Sequence, residues 1–76
     1  MAQQMHEVVA ANVRRELQAR GWSQIELARR CGLPAPRITD LLKGHYGGRI
    51  KTLERIAAGF GVPVAALMLP PSDEKI

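Results

Sequence analysis

Few residues in this 76-residue chain could act as nucleophiles or soft metal ligands: one cysteine, Cys31, and two histidines, His6 and His45. The histidines are far apart and have no Asp, Glu or Cys at ligand spacing, so no zinc site is expected. Cys31 falls among apolar residues at helical spacing, where a thiol packs rather than attacks, and a single cysteine makes no internal disulfide. No glycine-rich phosphate loop follows a strand, and no catalytic groups pair, so neither an enzyme nor a bound cofactor is expected. Cations offer more chemistry. Residues 13–60 hold ten Lys or Arg against four acids, Glu16, Glu26, Asp40 and Glu54. A small domain with a pI near 10.0 attracts polyanions.

The elements that must position these cations are helices. Val9, Val13 and Leu17, with Ala10 beside them, make one stripe on a first helix over Met5 to Arg20, with Glu7, Arg14, Arg15 and Gln18 opposite. Gly21 ends it, and Trp22 enters the connection as a core plug. Ser23 and Glu26 have capping-box spacing, in which the serine accepts from the Glu26 amide and the glutamate reaches back to the Ser23 amide. A second helix follows, with Ile25, Leu27, Ala28 and Cys31 as its expected buried side. Gly32 permits a sharp turn, Leu33 anchors it, and Pro34 or Pro36 suits a first helical turn. A third helix runs to Lys43, with Ile38, Leu41 and Leu42 inward. Pro36, Asp40 and Lys43 then lie opposite, Arg37 and Thr39 flank them, and Gly44 ends the helix. After a glycine-containing loop, Thr52 to Phe60 reads as a fourth helix burying Leu53, Ile56, Ala57 and Phe60. A short last helix carries Val64, Leu67 and Met68. Residues 1–69 are expected to form one domain and 70–76 a short flexible tail.

Gln24 opens a helix, Ala28 stands four residues on, Gly32 eight on and Ile38 fourteen on, with Leu27, Leu33 and Leu41 between. This pattern resembles the helix-turn-helix of the lambda/434 repressor and Cro group, the XRE family. Thr52 to Met68, TLERIAAGFGVPVAALM, looks like that family's closing segment, so the resemblance spans roughly residues 9–69. It implies an all-α, compact five-helix domain that binds double-stranded DNA. Many members pair an arginine of the first helix with a glutamate at the end of the recognition helix; Leu17 and Leu42 occupy those positions here. Well-packed apolar residues commonly replace a buried ion pair without loss of stability.

The resemblance and the helical wheel together make Ala35, Pro36, Thr39 and Asp40 base-facing candidates. Asp40 could accept from a cytosine amino group, Thr39 could bond several bases, and Ala35 or Pro36 could touch a thymine methyl. Gln24, Arg37, Lys43, Arg49 and Lys51 are candidates for the phosphate backbone, where contacts are independent of sequence and sensitive to salt.

Seventy-six residues allow one domain, and its 46% hydrophobic content has no long apolar run, so no membrane association is expected. The N-terminus lacks a secretory layout, making a reducing cytoplasm the expected compartment. The expected role is a small cytoplasmic transcriptional regulator, a repressor, working as a homodimer on DNA. Leu67, Met68, Leu69 and Ile76 are the expected dimer surface. Two alternatives remain: an antitoxin-type regulator that also binds a toxin protein, and a protein-interaction module reusing the fold.

Overall fold

The computed structural model describes residues 5–45 and 50–69. Among them it has five helices and no strand: α1 (Met5–Arg20), α2 (Gln24–Cys31), α3 (Ala35–Leu42), α4 (Ile50–Phe60) and α5 (Ala65–Met68). This is the all-α, five-helix arrangement expected from the periodicity. None of these helices is long and apolar enough to cross a membrane. Arg49 and the segment after Leu69, including the expected tail and Ile76, lie outside the described residues.

Helix ends follow from local chemistry. Ser23 precedes α2 with extended backbone, and its Oγ accepts from the Glu26 amide at 3.0 Å. The return half of the capping box is replaced. Glu26 instead accepts from Arg29 Nη2 at 2.6 Å and Arg30 Nε at 2.5 Å. Both guanidiniums carry a full opposite charge that a backbone amide lacks, and at i+3 and i+4 they share a helix face with Glu26.

At the other end of α2, Gly32 takes φ +69°, and the amides of Gly32 and Leu33 both reach the Ala28 carbonyl. That chain reversal sends the backbone into α3. Pro36 sits in the first turn of α3, where its missing amide leaves no helical bond unmade. The helix ends at Leu42, one residue before the expected Lys43, which serves as its cap. α4 starts at Ile50, two residues earlier than expected, because Thr52 is a packed helical residue with 7% exposure and not a solvent-facing start.

The inward stripes of α1 to α4 meet Leu67 of α5 in one cluster. Leu27, Ile38, Leu53, Ile56 and Leu67 are each fully buried. Trp22 packs on the edge of this cluster, as a plug should. Its ring stacks on Phe60 with centroids 5.7 Å apart, and the Arg30 guanidinium lies 4.2 Å from its centroid. Arg20 pairs with Glu16 and donates to the Phe60 carbonyl at 2.7 Å, closing α1 onto the end of α4.

Two expected placements are corrected. Ile25 is 71% exposed rather than buried. At 100° per residue it lies opposite the Leu27 and Cys31 side of α2, so one short helix cannot bury all three. Leu67, expected on a dimer surface, is inside, leaving Met68 half-buried and Leu69 exposed. Asn12 was part of no apolar stripe, yet it is 1% exposed. Its Nδ2 donates to the carbonyls of Leu67 and Leu69 at 2.8 and 2.7 Å, and its Oδ1 accepts from Arg15, so its amide is satisfied while it ties α5 to α1.

Gly32→Ala tests the turn. A Cβ at Gly32 would find only Arg55 Nη1, at 3.5 Å, so its cost is left-handed backbone strain and not crowding. The variant should lose about 1–2 kcal/mol in urea unfolding, and an unchanged midpoint would show that the turn does not need glycine.

Candidate nucleic-acid interface

α3 packs against both α1 and α2, while α2 also rests on α4. Ile38, Leu41 and Leu42 take the inward side of α3, leaving Pro36, Arg37, Asp40 and Lys43 exposed. Ala35 and Thr39 are half-buried on the flanks, and Ala35 touches the core edge. Gln24 is exposed at the first position of α2. Thr39 Oγ1 donates to Gln24 Oε1 at 3.1 Å, joining a base-facing candidate on α3 to a phosphate candidate on α2. Lys51 is exposed in the first turn of α4.

Arg37 and Lys51 meet in one place. With Leu33, Ile50, Thr52 and Arg55 they line an open cleft of about 550 Å³ between the motif's turn and the start of α4. Arg55 also donates to the Gly32 carbonyl at 3.3 Å, bracing that turn. No site role followed from the sequence for Arg55, although it stands one helical turn after Lys51 on the same side of α4. Arg14 was missed as well. Its Nη2 donates to the Leu42 carbonyl at 2.6 Å, fixing the end of α3 to α1. Neither Gln24 nor Lys43 lines the cleft.

Among the described residues, the ion pairs are Arg20–Glu16, Arg29–Glu26 and Arg30–Glu26, all on α1 and α2. Arg37, Lys43, Lys51 and Arg55 have no carboxylate partner among the described residues. Arg14 and Arg15 of α1 have none either, so unpaired cations stand on α1 as well as along α3 and the start of α4. Asp40 is likewise an exposed carboxylate without a cationic partner among them.

Among the described residues no three His, Cys, Asp or Glu side chains approach closely enough to hold a metal. Cys31 is buried and its Sγ donates to the Leu27 carbonyl at 3.0 Å. Burial pushes its thiol pKa up, which opposes formation of the reactive thiolate.

A buried-backed helix reached by a glycine turn, with uncompensated cations around it, is the geometry of a groove-binding motif, and residues 13–67 match the sequence model of the family described as Helix-turn-helix. The chain belongs to the lambda/434 repressor and Cro-like helix-turn-helix family. A "Neisseria hypothetical transcription factor" of Neisseria meningitidis serogroup B is 35% identical over 71 residues, which are 93% of this chain and 67% of that protein. The crystal structure of hypothetical transcription factor NHTF from Neisseria matches with a TM-score of 0.86 at 36% identity, over 91% of this chain and 79% of that one. Within this repressor-like fold α2 and α3 are the motif's two helices. Leu17 and Leu42, at the positions where many members carry an ion pair, are both in the core cluster.

Glu26 gives the motif a pH dependence. The bonds from Arg29 and then Arg30 hold its carboxyl below the usual carboxylate range. A folded-state value lowered in this way contributes stability above the unfolded carboxylate pKa, lost as pH falls through the lowered value. Glu26→Gln should therefore melt at a lower temperature than the parent at neutral pH and converge with it in acid. Parallel melting curves at all pH values would contradict this assignment.

Proposed function

We propose that this domain is a small transcriptional regulator, a repressor, that binds a specific double-stranded DNA sequence in the cytoplasm with α3 in the major groove. The observation that carries the reading is the placement of Arg37, Lys43 and Lys51, none with a carboxylate partner among the described residues, on and beside the exposed face of α3. Family membership and relatives described as transcription factors support it. An α-helix with its side chains is about 10–12 Å across, which fits a major groove about 12 Å wide.

The reading face, with the cap at Lys43, offers Ala35, Pro36 and Asp40 to the bases, with Thr39 beside them on the α2 flank. Gln24, Arg37, Lys43 and Lys51 serve the phosphates, and Arg49 joins them by its place in the sequence. Binding of this kind represses by occupancy, because a site held by the domain is closed to other proteins. Asp40 has a special part. Its carboxylate is repelled by the duplex everywhere except where it accepts from an amino group, as from cytosine N4. It therefore discriminates largely by penalising wrong sequences.

A second copy on an adjacent half-site, about one duplex turn away, would double the number of base pairs read. Exposed Leu69 and half-buried Met68 are the apolar groups offered for that contact. Ile25, 71% exposed on the opposite side of α2 from the core, favours a protein partner as a second reading. Co-purification of a small second chain would support the antitoxin-type version of it.

Selection of bound duplexes from random DNA, followed by fluorescence anisotropy, tests the reading. Arg37→Ala and Lys51→Ala should each weaken binding at all sequences and lower the slope of log affinity against log salt by about 1. Unchanged affinity and slope in both variants would sink the phosphate assignments. Asp40→Asn should act in the opposite sense, tightening binding to scrambled duplexes while narrowing the gap between selected and scrambled DNA. If that gap were preserved, Asp40 would have no part in discrimination.

A further inference from the structure

We infer that Thr39 is a positioning residue, whose hydroxyl holds the Gln24 side chain with its amino group free for a DNA phosphate. The inference rests on the DNA-binding reading and deepens it.

The two residues are 15 apart in sequence and meet because α2 and α3 pack together. A threonine hydroxyl has one proton. Here it goes to Gln24 Oε1 at 3.1 Å. Fixing the oxygen of a planar amide also fixes its nitrogen, and neither Nε2 hydrogen is used by another described residue. Those two donors sit at the first residue of α2, where the leading backbone amides have no intrahelical acceptor and the helix dipole favours an anion. A phosphate oxygen suits both sets of donors.

Position explains why Thr39 has this task. Ala35, one turn earlier on α3, has no polar group to offer, and Pro36 has none either. An exposed glutamine otherwise samples several rotamers and loses that freedom on binding; the Thr39 bond removes much of that loss beforehand. With its proton committed, Thr39 is also a poorer base reader than its place on α3 implies. The sequence preference then falls to Asp40 and the apolar Ala35 and Pro36.

Full-length wild-type protein, Thr39→Val, Thr39→Ser, Gln24→Ala and the Gln24→Ala/Thr39→Val double variant would be titrated with a selected duplex, its single-base variants and a scrambled duplex. Nitrogen-15 relaxation of the Gln24 side-chain amide would be measured in each free protein that retains the glutamine. Thr39→Val and Gln24→Ala should each weaken binding about three- to tenfold on every duplex, the size of one hydrogen bond. The double variant should be no weaker than either single one, and Thr39→Ser should bind like wild type. The Gln24 amide should be ordered in wild type and Thr39→Ser and mobile in Thr39→Val. A Thr39→Val protein that changes preference at one base pair, additive losses in the double variant, or an amide equally mobile with and without the hydroxyl would each overturn the inference. Wild-type protein that bound no duplex would overturn the DNA reading and this role together, whereas failure of the coupling alone leaves wild-type binding intact.

Discussion

An eight-residue helix is not stable alone in water, and both halves of the motif are eight-residue helices. Their geometry is therefore dictated by what they bury. Leu27, Ile38 and Leu41 give up nearly all of their exposure to one shared cluster, and α1 and α4 supply the other walls. The glycine turn joins the helices, Arg55 braces its carbonyl, and Arg14 holds the far end of α3. With a rigid back and three lateral fixings, α3 presents its outer side chains from a surface that does not need to be assembled on binding.

The same packing separates structural from free charge. Arg20 and Arg30 lie against the rings of Trp22 and Phe60 as well as against carboxylates, so their hydrophobic faces and charges both serve the fold. Arg37, Lys43 and Lys51 have no such obligations among the described residues, nor does Asp40 on the face between them. The face thus carries both signs of charge, neither committed to an ion pair among the described residues.

Much of this was legible in the sequence because the dominant signals are periodic. The stripes through Val9, Val13 and Leu17, and through Ile38, Leu41 and Leu42, point to the core because a 3.6-residue repeat leaves them no alternative. Where the signal is a single residue, reading fails. Ile25 looks like core by type, but α2 is too narrow to bury it with Leu27 and Cys31. Asn12 looks like surface, but two carbonyls at the end of α5 need its donors. α4 begins two residues before the expected Thr52, which is packed inside the helix. The exposed positions of Pro36, Arg37, Asp40 and Lys43 follow from the wheel of α3, whereas the Thr39 to Gln24 bond spans two helices and has no local signature. Arg55 was detectable, since it follows Lys51 at i+4, yet on the sequence alone it is one arginine among many.

Cys31 sits where α2 and α4 are in close contact: a Cβ added to Gly59 would lie only 3.2 Å from the Cys31 Cβ. At 8% exposure the thiol is largely shielded from alkylating reagents while the helices are in register. Because this is the chain's single thiol, its labelling is a clock for separation of the first motif helix from its support. That opening can be timed by mass spectrometry in the unaltered protein, free or with DNA, without an engineered probe.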